Sequence, residues 1–137
     1  MELFQKSSAL THIPWYYLAA VDQYERSLRF ARKDREKPSS LISIYMEPEK
    51  WVGPLNPNRE DDNPETISLF NGIGRDGDFD GKASLKSDED ILAALTDFIL
   101  QYGIDRDNFK LALWDYYKRD KTVSIIMGNA KIYKQYG

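Results

Sequence analysis

The sequence predicts one mainly α-helical domain, and three observations support that fold class. The chain has 137 residues, close to the size of a single domain. Its apolar fraction of 42%, with 3 Trp, 9 Tyr and 6 Phe, is enough to form a hydrophobic core. Apolar residues recur at helical spacing in four segments. We therefore expect a single domain over residues 1–137, with a flexible lead-in over residues 1–12 and a long loop region rich in Pro and Asp.

The charge and residue counts exclude several classes of function. There are 19 basic and 22 acidic residues, so no general basic field attracts nucleic acid. The chain has no Cys and only His12, which excludes disulfides, thiolate metal sites and Cys nucleophiles. The longest apolar run, Ile13 to Val21, is far shorter than the roughly 20 residues that cross a bilayer. We expect no nucleic-acid partner, no membrane span and no signal peptide.

The first strong helix is predicted from after Pro14 to about Lys33, because Pro suits the opening turn of a helix. One face of this helix gathers residues that we expect to be buried: Tyr17, Leu18, Ala20, Val21, Tyr24, Leu28 and Ala31. A basic tail comes after this face: Arg26, Arg29, Arg32, Lys33, Arg35 and Lys37. We interpret it as a solvated helix end, which Pro38 terminates.

The sequence pattern of residues 41–70 indicates little regular structure. The short apolar segment Leu41 to Met46 fits either a strand or a buried helical turn. Loop-forming residues dominate the rest of this stretch: Pro48, Gly53, Pro54, Asn56, Pro57, Asn58, Asn63 and Pro64. A long irregular segment inside a compact domain is usually functional or mobile.

Three further helices are predicted in the second half of the chain. The first runs from the N-cap Ser87 to about Tyr102, with Gly103 as its stop. The next covers about residues 107–118, and the last begins after Asp120. The chain contains neither an internal repeat nor a low-complexity tract.

Glu25 is the carboxylate that the pattern places within an apolar helix face, between Leu18 and Leu28. Burial disfavours the charged form of a carboxyl group, which is how a general acid stays protonated near neutral pH. The alternative is structural: Glu25 pairs with Arg29 or Arg32 on its own helix. Both interpretations stay open from spacing alone.

Asp76, Asp78 and Asp80 occupy positions 1, 3 and 5 of a sequence that resembles the first half of a calcium loop, with Gly81 at position 6. The carbonyl of Lys82 would supply position 7. Position 12 is Ser87 instead of a bidentate Glu, so Asp88 or Asp90 would have to provide the remaining oxygens. The alternative is a series of Asx turns that binds no metal.

Several segments, in order, resemble the lytic transglycosylase branch of the lysozyme-like superfamily. Three of them are the stretch from Ile13 to Glu25, the turn Gly53-Pro54-Leu55 and the acidic segment Asp76 to Ala83. Two more are Asp90 to Ala94 and the stretch Ala112 to Tyr117 with its trailing helix. The resemblance covers residues 13–133. The same segments also resemble a module that precedes a zinc peptidase domain in some cell-wall hydrolases of spore-forming bacteria. This chain contains no such peptidase motif.

The resemblance implies a lysozyme-like fold with specific roles for the matching residues. Glu25 would be the single catalytic acid and base, and substrate would contact the groove residues Gly53, Pro54, Tyr116 and Tyr117. Ca²⁺ would be held by Asp76, Asp78, Asp80 and the carbonyl of Lys82. This sequence departs from the family pattern at three groove positions: Arg26, Asn56 and Tyr117.

Two functional hypotheses come from the resemblance. The first is a lytic transglycosylase that cleaves the β-1,4 bond between N-acetylmuramic acid and N-acetylglucosamine in peptidoglycan. The alternative is a non-catalytic module that binds peptidoglycan and positions a larger cell-wall hydrolase, with a peptidase domain elsewhere in a longer parent chain. Either hypothesis implies a location outside the cytoplasm or in the cell wall.

Overall fold

The computed structural model describes residues 2–31 and 42–136, and within them all regular structure is helical. The seven helices are α1 (Glu2–Thr11), α2 (Trp15–Ala31), α3 (Pro48–Val52), α4 (Pro64–Leu69), α5 (Asp88–Leu100), α6 (Arg106–Tyr117) and α7 (Asp120–Tyr136). The mainly α-helical prediction is confirmed. None of the described helices combines the length and the apolar character that a membrane span requires. The chain divides into two compact units, residues 1–38 with 98–137 and residues 39–97.

In the first unit, α2 packs chiefly against α7, while α1 lies on α2 and α6 lies on α7. The aromatic rings of Tyr17 and Phe109 stack with centroids 3.9 Å apart and planes 7° apart. The Tyr24 hydroxyl hydrogen-bonds the Thr122 hydroxyl at 2.9 Å, which joins α2 to α7 inside the core. The core side chains of this unit include Ile13, Leu18, Val21, Phe109 and Ile126.

The segment expected to be a flexible lead-in forms α1 instead. Phe4 is buried, and α1 packs on α2, so tertiary contact stabilises a helix of 10 residues, a length that is marginal in isolation. Helix α2 begins at Trp15 as predicted and extends to Ala31. The predicted end of this helix near Lys33, with most of its basic tail and Pro38, lies outside the described residues.

The second unit is built around Trp51, which is 1% exposed. Its indole N–H donates to the carbonyl of Ala83 at 3.1 Å, which fixes the segment after the acidic loop beside α3. Residues 42–47 are neither strand nor helix, although most of them are buried. The loop-rich stretch also contains two short helices, α3 and α4. Pro48 and Pro64 each occupy a first-turn position, and the Asn63 side chain caps α4.

The predicted boundaries of the later helices agree with the structure to within a few residues. The Ser87 hydroxyl accepts the backbone N–H of Asp90 at 3.2 Å, as an N-cap should. The Asp105 side chain caps α6 by accepting the N–H of Asn108. Gly103 follows α5 with a φ of 126°, a backbone conformation that favours glycine.

The stacked pair of Tyr17 and Phe109 generates a stability prediction for the first unit. Phe109 is 0% exposed, so Phe109→Ala removes buried ring area and leaves a cavity. We expect it to lower the free energy of unfolding by about 3–5 kcal/mol, measured by urea denaturation. Ile132→Ala is the matched control, because Ile132 is 56% exposed and its truncation should change stability by less than about 0.5 kcal/mol. Equal losses in the two variants would contradict the assignment of Phe109 to the core.

Candidate functional site

The acidic loop brings four carboxylates together. Oxygen atoms from Asp76, Asp78, Asp80 and Asp90 all lie within 4.8 Å of one another. Asp90 belongs to the first turn of α5, 10 residues beyond Asp80. Hard oxygen ligands in this number suit Ca²⁺, which binds oxygens at about 2.3–2.6 Å. The donor set is therefore chemically suited to a hard divalent cation.

Asp90 holds this loop against the start of α5. Its side chain is 0% exposed. One carboxylate oxygen accepts the backbone N–H of Gly77 at 2.6 Å, and the other accepts that of Ser84 at 2.8 Å. These hydrogen bonds offset the cost of burying the carboxylate. They also hold the Asp76–Gly81 loop against the start of α5.

Gly77 lies very close to α5. A Cβ at this position would lie 2.2 Å from the carbonyl oxygen of Glu89 and 2.9 Å from the Cβ of Ala93. Such distances are far below ordinary van der Waals contact. Any larger residue at position 77 would therefore push the loop away from the helix.

The loop is also closed by hydrogen bonds between its own side chains and backbone. Asp76 accepts the backbone N–H of Gly81 at 2.8 Å, and Asp80 accepts that of Lys82 at 2.9 Å. These are the Asx-type turns that the metal-free alternative predicts. The loop geometry therefore fits both of the interpretations that the sequence left open.

Desolvation, repulsion and hydrogen bonding together shift the pKa values of Asp78 and Asp76 in opposite directions. Desolvation and repulsion from the Asp90 carboxylate raise the pKa of Asp78 to about 6. Asp76 behaves in the opposite way. Desolvation opposes its ionisation, but the hydrogen bonds that it accepts from Gly81 and Asp78 outweigh that effect and lower its pKa. Of these two residues, Asp78 therefore takes up a proton first as the pH falls.

The structure brings some, but not all, of the predicted metal-binding residues into one cluster. Asp76, Asp78 and Asp80 share one cluster, and Asp90, one of the two residues considered for the missing oxygens, completes it. Asp88 is not a member of this group. Lys82 is exposed and follows the cluster directly in the chain.

Glu25 lies on α2 in the first unit and is 3% exposed, so the predicted burial is confirmed. The preceding residue, Tyr24, contacts the ring of Tyr117 edge to face with centroids 5.4 Å apart. The proposed partners of Glu25 on its own helix, the Arg29 side chain and Arg32, lie outside the part that the structure describes. The predicted groove residues Tyr116 and Tyr117 also belong to this unit, and both are half-buried.

Gly53 and Pro54 belong to the second unit, in the turn that follows α3. Gly53 has a φ of 112°, and a Cβ there would lie 2.3 Å from the carbonyl oxygen of Phe70. The buried Asn56 side chain then donates to Asp61 at 2.9 Å and to the carbonyl of Val52 at 3.0 Å. Backbone packing therefore explains Gly53, and side-chain hydrogen bonds explain Asn56, without a ligand. Pro54 is exposed.

An open groove between α6 and α7 in the first unit was not predicted from the sequence. It has a volume of about 560 Å³ and is lined by Asp107, Lys110, Leu111, Trp114, Asp120, Val123 and Ser124. Leu111 is 57% exposed and Trp114 is 47% exposed, so neither belongs to the core. The two residues are three positions apart, so they are neighbours on the helix surface, and neither is among the buried residues of α6. That spacing is the sequence signal that could have revealed a second apolar face.

Comparison with known proteins gives one informative match. An L-Ala–D-Glu endopeptidase of Bacillus subtilis strain 168 is 53% identical to this chain over all 137 residues. The chain spans only 42% of the length of that relative. No protein-family profile matches the chain, and no solved structure does.

The prediction that this chain is a glycan-cleaving lytic transglycosylase is wrong. The relative that matches the entire chain is named for cleaving a peptide linkage, whereas a transglycosylase cleaves a glycosidic bond. The motifs behind the resemblance also have structural uses that need no chemistry. Asp76 accepts loop N–H groups, and Ala112 and Leu113 are buried core residues. The alternative of a module within a larger hydrolase agrees better with the comparison.

The raised pKa of Asp78 predicts a pH-dependent stability difference. In the unfolded chain an Asp has a pKa near 3.9, so the folded state binds the Asp78 proton more tightly. Ionised Asp78 therefore destabilises the fold above about pH 6, and this cost disappears as the pH falls towards the unfolded value. In chelator we expect Asp78→Asn to melt slightly above the parent at neutral pH and to match it in acid.

The matched control for this pH series is Asp107→Asn, an exposed carboxylate on α6. The difference in melting temperature between this control and the parent should not change in the same way with pH. If Asp78→Asn melts below the parent at neutral pH, ionised Asp78 stabilises the loop, and the expected destabilisation by its charge is wrong.

Proposed function

We propose that this chain is a non-catalytic module that binds peptidoglycan and positions a larger cell-wall hydrolase. The observation that supports this most strongly is the 53% identity to an L-Ala–D-Glu endopeptidase, extending over the entire chain but only 42% of the relative. An L-Ala–D-Glu bond contains a D-amino acid, a feature of the stem peptides of bacterial peptidoglycan. In this proposal the peptide is cut by the part of such an enzyme that this chain does not cover.

The residue types in the chain support a non-catalytic role. Hydrolytic zinc sites are built mainly from His, Cys and carboxylate ligands. This chain has no Cys and a single His, and His12 is exposed just before α2. Among the described residues, the carboxylate cluster of the acidic loop is the group with metal-binding geometry. Four carboxylates suit Ca²⁺ better than a peptidase zinc ion.

The lysozyme-like arrangement remains our proposal for the fold. It is supported by the helix order, by Glu25 on the first long helix and by the acidic loop before α5. We also propose that Gly53, Pro54, Tyr116 and Tyr117 contact peptidoglycan. A wall-binding role places the protein outside the cytoplasm or in the cell wall.

Calcium binding by the acidic loop is the second part of this proposal. Asp76, Asp78 and Asp80, with Asp90 and the Lys82 carbonyl, would hold the ion. The spacing of the carboxylate oxygens supports the assignment, since ligands on opposite sides of one Ca²⁺ lie roughly 5 Å apart. Desolvation and repulsion from Asp90 raise the pKa of Asp78. The ion would neutralise that repulsion and tie the loop to α5.

The module hypothesis predicts binding without cleavage. Purified protein should sediment with isolated peptidoglycan sacculi, and mass spectrometry of the supernatant should detect no released muropeptides. Glu25→Gln should sediment like the parent, because in this proposal Glu25 has no chemical role. Failure of the folded parent protein to sediment would contradict the module hypothesis. Release of muropeptides by the parent but not by Glu25→Gln would contradict the non-catalytic assignment.

The calcium proposal predicts that the melting temperature rises in millimolar Ca²⁺ relative to chelator. A ligand held by the folded state stabilises it by mass action, with about 2.7 kcal/mol expected at a ligand concentration 100 times Kd. Asp76→Asn should reduce this rise. Asp62→Asn, an exposed carboxylate of the same unit outside the cluster, should retain it. Equal melting temperatures of the parent in Ca²⁺ and chelator would exclude a calcium site of millimolar affinity.

A further inference from the structure

The groove between α6 and α7 combines an exposed aromatic ring with polar groups of both charges. Its volume of about 560 Å³ lies within the range of small-molecule sites. All of its lining residues belong to the first unit. The predicted substrate contacts Gly53, Pro54, Tyr116 and Tyr117 are not among them. The groove is therefore separate from the site that the sequence resemblance implies.

The Trp114 ring is held in one orientation although it is 47% exposed. Its indole N–H donates to the Asp120 carboxylate at 3.0 Å. The Lys118 ammonium lies 5.1 Å from the ring centroid and is itself paired with Asp115 at 2.7 Å. A surface ring fixed by two neighbours loses little conformational freedom when a ligand packs on it.

Leu111 extends this platform along α6. It is 57% exposed and lies three residues before Trp114, which places the two side chains on neighbouring positions of the helix surface. The buried residues of α6 are Phe109, Ala112 and Leu113. Leu111 and Trp114 therefore form a short apolar strip that does not serve the core.

The charges around the strip favour a neutral ligand with hydroxyl groups. Asp107 and Asp120 supply acceptors, while Lys110 supplies a donor and Ser124 can act as either. An anionic ligand would meet two carboxylates, and a cationic ligand would meet Lys110. A sugar ring carries no charge, offers both donors and acceptors, and has an apolar C–H face that packs on an aromatic ring.

We propose that this groove binds an N-acetylhexosamine ring of a glycan strand, with Trp114 as the stacking platform. The inference rests on the proposed function, since it identifies where a peptidoglycan-binding module would hold the glycan. The groove is open to solvent rather than enclosed, so one ring of a polymer can enter it while the rest of the chain stays outside. Asp107, Lys110 and Ser124 then hydrogen-bond the hydroxyl and acetamido groups of the ring.

The test is a titration of the whole chain with N-acetylchitotetraose, a soluble glycan without peptides. Binding is followed by calorimetry and by the indole N–H resonance of Trp114, which is assigned through its loss in Trp114→Phe. We expect Trp114→Ala to weaken binding roughly tenfold or more, a difference of about 1.4 kcal/mol. Trp114→Phe, which keeps a ring, should retain more affinity than Trp114→Ala. Tyr136→Ala is the matched control, because Tyr136 is an 86% exposed aromatic on α7 outside the groove.

Sedimentation with sacculi separates failure of this inference from failure of the proposed function. If the parent and Trp114→Ala bind both sacculi and chitotetraose equally, the groove is not the glycan site and the module hypothesis stands. If the parent binds neither, both proposals fail. If free stem peptides displace the protein from sacculi while chitotetraose does not, a peptide and not a sugar occupies the site, which overturns the inference. Thermal melts of Trp114→Ala show whether lost binding reflects lost folding.

Discussion

The buried carboxylate of Asp90 determines the architecture of the second unit around the acidic loop. A carboxylate that is 0% exposed is costly unless hydrogen-bond donors surround it. Backbone N–H groups of Gly77 and Ser84, on either side of the loop, provide them. The loop cannot move away from α5 without leaving that carboxylate short of donors. The same side chain completes the carboxylate cluster, so loop position and cation chemistry depend on one residue.

In the first unit, burial divides the aromatic side chains between two roles. Tyr17 and Phe109 stack inside the core, and Tyr24 combines ring contact with a hydroxyl hydrogen bond to Thr122. These rings contribute apolar area that stabilises the packing of the helices. Trp114 differs from these core aromatics, because its ring stays exposed while its N–H donates to Asp120. An exposed ring with a fixed orientation suits recognition better than packing.

The comparison with the endopeptidase changes the activity that the family resemblance implied, but not the segments that carry the resemblance. The segments within residues 13–133 that resemble lytic transglycosylases do include helices and a closed acidic loop. Helical spacing, caps and Asx turns recur because they stabilise structure, and proteins with different activities share them. The relative's name states that it cleaves an L-Ala–D-Glu peptide linkage. Fold-level patterns do not contain that information.

Local chemistry was sufficient to predict much of the fold from the sequence. Pro14, Ser87 and Gly103 mark helix ends through their own backbone preferences and hydrogen-bonding groups, and the apolar stripe of α2 places Glu25 inside the core. The spacing of Asp76, Asp78 and Asp80 likewise predicts that their carboxylates converge, because alternate loop positions can face one point.

Other features were decided only by tertiary structure. Helix α1 depends on packing against α2, and the short helices α3 and α4 contact each other. Trp51 of α3 also bonds the carbonyl of Ala83, 32 residues further along the chain. The choice of Asp90 as the fourth carboxylate required the close approach of Gly77 to α5. The groove at Trp114 required α7 to pack beside α6, since a helical pattern shows which residues share a face but not which face stays open to solvent.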